Sequence, residues 1–114
     1  MESTRLINAT CPDCRGPLTE ITQSLSNTVL HEYRCLVGHT YSAKALLQAH
    51  SETQERALWF AVVALREATN LIQAVAPEFP PEIYERLMQQ AETKRKQADD
   101  VRAVLERLEP LQTG

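Results

Sequence analysis

The sequence is poor in several residue types, and each shortage argues against a class of protein. Its 114 residues contain only three glycines and three cysteines, and aromatic residues make up 5%. An odd number of cysteines argues against a disulfide framework. The N-terminal segment MESTRLINAT has no apolar stretch, so no signal peptide is expected. Both observations favour a cytoplasmic location, where clustered cysteines more often bind metal.

Long apolar runs and excess positive charge are also missing. The longest strongly apolar run, residues 57–65, is far short of the roughly 20 residues that a membrane span needs, and Arg66 and Glu67 follow it. The net charge is −3, and residues 1–50 carry four basic and four acidic side chains. We therefore expect no membrane contact, and nucleic acid is not a favoured partner, because neither half offers the basic field that binds phosphates.

Catalytic motifs are absent as well. The sequence has no G-x-S-x-G element and no glycine-rich phosphate loop. No remaining histidine has a clear nucleophile partner. We therefore expect a protein that is not an enzyme and that has no small-molecule substrate.

What the sequence does contain is a set of metal-binding residues in two closely spaced pairs. Cys11-x2-Cys14 is followed, after twenty residues, by Cys35-x3-His39. Thiolates and imidazole are ligands of tetrahedral Zn²⁺, and four protein ligands leave no position for an activated water. The pattern predicts a structural zinc site made by Cys11, Cys14, Cys35 and His39. His31 is an alternative fourth ligand, because on a strand it would share a face with Cys35.

The segment around these pairs has the turn and strand signals of a zinc ribbon. Residues 1–10 are expected to be an irregular lead-in. Residues 18–22 and 28–35 are expected to be strands, joined by a hairpin connection at residues 24–27. Gly16 and Gly38 are each predicted to adopt the positive φ that closes a metal-binding turn. Residues 1–41 are therefore predicted to form a two-knuckle zinc ribbon.

From Ser42, a plausible helix N-cap, the apolar spacing changes from the period of a strand to that of a helix. Two helices are predicted, at about 42–76 and 81–108, with a proline-rich turn between them. Residues 42–110 should therefore form a long antiparallel helical hairpin, and the expected fold class is mainly α with a small β zinc ribbon. The first helix has an apolar seam with the heptad spacing of coiled coils, at Leu58, Val62, Leu65, Thr69, Ile72 and Ala76.

Two helices bury one seam each and leave other apolar side chains uncovered. The pattern therefore predicts a homodimer through a four-helix bundle, or a helical protein partner that supplies the missing face. The residues predicted to bind this partner are Leu58, Trp59, Val62, Val63, Leu65 and Ile72.

Several segments together resemble a known family. CPDCRGPL at 11–18, YRCLVGHTYS at 33–42, and ALW at 57–59 ahead of ALRE at 64–67 are similar to the zinc-binding C-terminal extension of bacterial chemotaxis-type protein-glutamate methylesterases. That family usually has glycine directly after the second cysteine, where this chain has Arg15, and Gly16 is expected to compensate. The resemblance implies a bacterial, cytoplasmic origin and a zinc ribbon followed by a helical segment. The chain is either an excised extension or a free-standing relative, and its run from Met1 to Gly114 with a complete helical hairpin leads us to expect a free-standing protein. The resemblance implies no activity, because the methylesterase catalytic domain is absent from this sequence.

The sequence therefore predicts a non-enzymatic structural zinc-binding module that acts in dimerisation or protein interaction. The resemblance implies a regulatory role in bacterial chemosensory signalling. A zinc-ribbon nucleic-acid-binding protein and a zinc–thiolate redox sensor are the alternative functions.

Overall fold

A computed structural model of the chain describes residues 2–109 and 111–112. A four-stranded antiparallel sheet is followed by two helices joined by a short 3-10 helix. The elements are β1 Glu2–Thr10, β2 Pro17–Leu25, β3 Thr28–Cys35, β4 Thr40–Tyr41, α1 Ala43–Val75, the 3-10 helix Ala76–Glu78, and α2 Pro81–Glu106.

The sheet is larger than the sequence indicated. The strands lie in the order β1-β2-β3-β4, and each pairs with the next in antiparallel fashion. The segment expected to be an irregular lead-in is a nine-residue strand, β1, so that expectation was wrong. The physical reason is that a two-stranded hairpin is marginally stable by itself, and β1 covers the free edge of β2. The fold is therefore mixed α/β, not mainly α.

The two helices begin close to where the sequence placed them. The Ser42 hydroxyl accepts a hydrogen bond from the Ala45 backbone N–H at 3.1 Å, so Ser42 is the N-cap of α1. Pro81 lies in the first turn of α2, where its missing N–H costs no helical hydrogen bond. The helices end at Val75 and Glu106, within two residues of the predicted ends. The predicted end of the helical region at residue 110 lies outside the described residues.

The chain divides into two compact units, and the division falls inside α1, between Thr53 and Gln54. The N-terminal unit contains the sheet and the first part of α1, and the second unit runs from Gln54 to Glu109. The domain boundary predicted from the sequence, at residues 41 and 42, lies at the start of α1.

The core of the N-terminal unit lies at one end of the sheet. Its buried residues are Cys11, Leu18 and Cys35, and Leu18 is completely buried. Leu18 pairs with Cys35 on β3 and with Ile7 on β1, so these side chains share one face. The partly buried residues packed against this core are Ile7, Ala9, Tyr41 and Leu46.

The second unit is built on the contact between α1 and α2. The Thr69 hydroxyl is shared between the carbonyl of Leu65 in its own turn, at 3.0 Å, and the carbonyl of Ala91 in α2, at 3.3 Å. The Arg102 guanidinium lies 5.9 Å from the centre of the Trp59 ring. Because the earlier residue of α1 meets the later residue of α2, the helices run in opposite directions. The buried residues of this unit are Val62, Thr69, Ala76, Ala91 and Ala98.

The segment Ala43–Glu78 is long and apolar enough, by length and composition alone, to cross a membrane. One such helix is weak evidence, because helices of soluble proteins pass the same test.

Candidate metal centre

The first half of the site is the turn between β1 and β2, which carries Cys11 and Cys14. The Arg15 backbone N–H donates to the Cys11 carbonyl at 2.8 Å, and the Cys11 N–H donates to the Gly16 carbonyl at 2.7 Å. These two bonds close the turn on itself. Both thiols consequently point to the same side, where a single ion could reach them.

The positive φ in this turn lies at Arg15, with φ 62°, and not at Gly16 as predicted from the sequence. Since the left-handed region costs an L-residue roughly 1–2 kcal/mol, Arg15 holds a position that favours glycine. Gly16 has a different role. A Cβ atom built there would lie 3.4 Å from the Cys14 Sγ, so any side chain at this position would touch the thiol.

The second half of the site is the turn between β3 and β4, which carries Cys35 and His39. The Cys35 N–H donates to the His39 carbonyl at 3.0 Å, and the Gly38 N–H donates to the Cys35 carbonyl at 3.2 Å. Gly38 has φ 109°, which confirms the prediction for this glycine. In addition, the His39 N–H donates to the Cys35 Sγ at 3.2 Å, a contact that stabilises a thiolate.

The four predicted ligands come together, with all four donor atoms within 4.8 Å of one another. The Cys14 and Cys35 Sγ atoms are 3.6 Å apart, and the His39 Nδ1 lies 3.6 Å from the Cys11 Sγ and 3.3 Å from the Cys35 Sγ. A regular tetrahedron with metal–sulfur bonds of about 2.3 Å has edges of about 3.8 Å. A disulfide would instead need sulfurs about 2.05 Å apart. The cluster therefore has dimensions suited to a tetrahedrally coordinated metal ion.

Asp13 and Tyr41 form an outer layer around Cys11 that sequence reasoning missed. The Tyr41 hydroxyl donates to the Asp13 carboxylate and lies 3.4 Å from the Cys11 Sγ. This pair connects the turn after β1 to β4 and orients the Cys11 thiol. Two features of the sequence could have indicated this contact. Asp13 lies between the two cysteines of the first turn, and Tyr41 lies two residues after His39.

The thiols of Cys11 and Cys35 are the more acidic ones in the cluster. Burial acts to raise the pKa of Cys11, but hydrogen bonds with the Tyr41 hydroxyl and with the backbone N–H groups of Cys14 and Asp13 outweigh it and lower the pKa to about 6. Burial likewise opposes ionisation of Cys35, but the His39 N–H and the Cys14 thiol lower its pKa. The Cys11 thiol therefore ionises below neutral pH, and the Cys35 thiol loses its proton more readily than an ordinary thiol, which favours metal binding by both sulfurs.

The other two ligands hold their protons more strongly in the metal-free cluster. The Gly16 N–H acts to lower the pKa of Cys14, but burial and the neighbouring Cys35 and Cys11 sulfurs raise it overall. Hydrogen bonds to the Cys35 and Cys11 sulfurs raise the pKa of His39. A bound metal must displace these protons, so its affinity should increase with pH.

The other two histidines lie outside the cluster. His31 shares a sheet face with Cys35, as expected, but its Nδ1 lies 3.3 Å from the Thr22 hydroxyl and 3.7 Å from the Glu20 carboxylate. His50 donates from Nε2 to the Thr10 carbonyl at 2.8 Å. The structure therefore places His39, and not His31, with the three cysteines.

The six residues predicted to bind a partner fall into two groups. Leu58, Val62, Leu65 and Ile72 are buried or half-buried, on the seam of α1 that faces α2. Trp59 and Val63 are each 44% exposed. The side chain of Val62 is completely buried. A charged substitution at this position would therefore disrupt folding, so it could not be used to test partner binding.

Comparison of the chain with protein-family models, with curated proteins and with solved structures yields no match. Four protein donors in a cluster of this size can enclose one ion and tie the two turns together.

Proposed function

We propose that the cluster is a structural Zn²⁺ site within a zinc ribbon, and that the protein is a non-enzymatic module whose helical hairpin binds another protein surface. The observation that carries the proposal is the convergence of Cys11, Cys14, Cys35 and His39 from two separate turns. When bound, the ion would supply cross-linking and not a reaction, because all four of its tetrahedral positions would be occupied by protein atoms.

The choice of zinc rests on the chemistry of the donor set. Three sulfurs and one imidazole nitrogen are soft or borderline ligands, which exclude Mg²⁺ and Ca²⁺ as preferred ions. A tetrahedral arrangement of such ligands is typical of zinc. The N–H···S bond to Cys35 and the Tyr41 hydroxyl near Cys11 are outer contacts that would partly offset the negative charge of the three thiolates.

The interaction role rests on the surface of the helices. Phe60 is 66% exposed and Leu71 is 63% exposed, although both lie on a long helix of a small protein. Exposed apolar groups that cluster on one element mark an interaction surface more often than a solvated one. The sequence resemblance to the methylesterase extension supports a partner in bacterial chemosensory signalling.

The charges of the sheet support a protein partner over nucleic acid. Arg5 is paired with Glu20 at 2.8 Å, and Arg34 is paired with Glu32 at 2.7 Å. Each of these arginines is therefore already neutralised by a neighbouring carboxylate. Binding to nucleic acid needs Lys or Arg side chains that neutralise phosphates and release the counterions of the nucleic acid. Because Arg5 and Arg34 are already paired with carboxylates, they are poorly placed to do this.

Metal analysis of purified protein tests the proposal. We expect one zinc per chain in the wild type, and loss of zinc in the Cys35→Ser and His39→Ala variants. His31→Ala is the matched control and should retain full stoichiometry, because its imidazole faces Thr22 and Glu20. Equal zinc content in all four proteins would refute the assigned site. Substitution with Co²⁺ should produce the absorption spectrum of a tetrahedral sulfur-rich site.

A further inference from the structure

Helix α1 carries a second apolar stripe besides the seam that faces α2. Its positions are separated by 4, 3, 4, 3 and 4 residues and include no charged side chain. At about 100° per residue this stripe lies roughly 100° around the helix from the first seam. None of its members is fully buried. We call it the alanine stripe, and its members are Ala57, Ala61, Ala64, Ala68, Leu71 and Val75.

Two seams on one helix require two neighbouring helices. In a four-helix bundle each helix packs against two others, on faces about a quarter turn apart. The first seam of α1 is occupied by α2, whereas the members of the alanine stripe are exposed or half-buried in the described part of this unit. The contact with α2 is also thin, because four of its five buried residues are Val62 and three alanines. Such small side chains contribute little apolar burial.

The two sides of the helix pair differ in polarity. One groove between α1 and α2 is lined by Arg66, Thr69, Asn70, Gln73 and Arg95, and the contact of Trp59 with Arg102 lies on the same side. The alanine stripe lies on the opposite side. By helical periodicity, Ile83 and Val104 lie on that side near the two ends of α2, and Leu108 follows the end of the helix; each is about 40% exposed. A partner that seeks apolar surface should therefore dock on the alanine-stripe side.

We propose that the occupant of this face is a second copy of the chain, with the two α1 helices packed antiparallel along their alanine stripes. This inference rests on the proposed function and names its partner. The spacing 4-3-4-3-4 is the same in both directions, with its centre at residue 66. An antiparallel copy therefore places Ala57 opposite Val75, Ala61 opposite Leu71, and Ala64 opposite Ala68. Such an interface is self-complementary, as two-fold symmetry requires.

The sizes of the paired side chains also match. Each large residue of the stripe would meet an alanine, and the centre of the interface would contain only alanines. Phe60, beside the stripe, would be level with residue 72 of the second copy, close to Leu71 and Ala74, so its exposed ring would be partly covered. Alternation of large and small side chains lets two helices approach to the 8–10 Å that close packing needs.

The same two-fold axis suits α2. Because Thr69 lies beside Ala91 and Trp59 beside Arg102, residue 66 of α1 is level with about residue 95 of α2. A two-fold rotation about an axis at that level places Ile83 of one copy opposite Leu108 of the other, and Leu87 opposite Val104. The apolar ends of the two α2 helices, one from each copy, would thus meet, and the polar middle of each helix would lie at the axis.

The size of this face reaches the lower limit for a specific dimer interface. The stripe spans 18 residue steps, or about 27 Å, and two helices side by side are roughly 20 Å wide. Each copy thus offers about 540 Å² of projected area, and the pair more than about 1,000 Å², the lower limit for a specific interface.

Sedimentation analysis of the full-length, zinc-loaded protein tests the proposal. We expect the wild type to be a dimer and Ala64→Glu to raise the dissociation constant of the dimer by about 100-fold or more, because two carboxylates would be buried at the axis without partners. Ala103→Glu is the matched control. It makes the same substitution at an exposed position of α2 and should remain dimeric. Circular dichroism and zinc content should show that both variants are folded.

Glu67 provides a second test that does not threaten folding. In the antiparallel register its side chain flanks the axis and lies near Glu67 of the other copy. Glu67→Gln should therefore tighten the dimer about two- to fivefold, by removing a repulsion between like charges.

Three results would overturn the proposal. They are a monomeric wild type, a dimer unaffected by Ala64→Glu, and flotation of the wild type with lipid vesicles that Ala64→Glu abolishes. A monomer that still captures a different protein through the stripe would overturn the homodimer alone. The proposed interaction function would then stand.

Discussion

Removal of the metal should unfold the sheet while most of the helical structure survives. The perturbation is a strong zinc chelator added to the full-length protein. Among the described residues of the N-terminal unit, Cys11, Leu18 and Cys35 form the buried core, and two of these three are proposed metal ligands. The unit therefore has almost no core that is independent of the metal.

The magnitudes support complete unfolding of this unit. Burial of Leu18 contributes about 2–3 kcal/mol. A structural zinc site in a small domain contributes about 10–16 kcal/mol, and whole domains are stable by only about 5–15 kcal/mol. Loss of the zinc contribution exceeds what the remaining contacts can supply. The helices contain none of the four ligands, and in the proposed dimer they stabilise each other.

Two measurements check this expectation together. Amide resonances of residues 2–41 should lose their dispersion in ¹H–¹⁵N spectra when the chelator is added, and added Zn²⁺ should restore them. The circular dichroism signal at 222 nm should retain most of its intensity. Sheet resonances that stay dispersed after the metal has been removed would show that the centre is not structural. In that case the thiols would need another role.

Three further predictions follow from individual contacts. Leu18→Ala should destabilise the N-terminal unit by about 2–5 kcal/mol in denaturant unfolding, because it leaves a cavity in a fully buried position. Arg15→Gly should stabilise the protein by about 0.5–1 kcal/mol in thermal unfolding, whereas Gly38→Ala should destabilise it, because both positions have positive φ. A destabilising Arg15→Gly would contradict the backbone assignment. The hydrogen bond from Arg5 lowers the pKa of Glu20, so this pair stabilises the fold above the ordinary carboxyl pKa and the stabilisation is lost as the pH falls through the lowered value. Arg5→Ala should therefore raise the Glu20 pKa in an NMR titration, and an unchanged value would refute the coupling.

Much of the metal centre was predictable because its ligands lie on two short turns. A Cys-x2-Cys turn and a Cys-x3-His turn each confine their donor atoms locally, so spacing alone indicates which residues can share an ion. The structure places His39 beside the three cysteines, where it could bind a metal ion, and its role as a ligand stays a prediction. The Asp13–Tyr41 contact was not predictable, because it joins residues 28 positions apart that only the pairing of β3 with β4 brings together.

The glycine of the first turn shows the limit of reasoning from residue type. Glycine is the usual residue at positive φ, so Gly16 was the natural choice. In the structure Arg15 takes that conformation, because the hydrogen bonds from Arg15 to Cys11 and from Cys11 to Gly16 determine which peptide must turn. The preference of glycine for positive φ is a weak constraint when two backbone hydrogen bonds oppose it.

The sequence by itself determined which cysteines and histidine form the cluster, where the helices lie and the apolar spacing of α1, because each depends on spacing within one short segment. Helix capping at Ser42 and the prolines before α2 are equally local signals. Only the tertiary structure decided that residues 2–10 form a strand, since a β-strand is stabilised by a neighbour distant in sequence. It also decided which apolar face of α1 is occupied by α2 and which is left open. Both faces have the same heptad spacing, so periodicity cannot distinguish them.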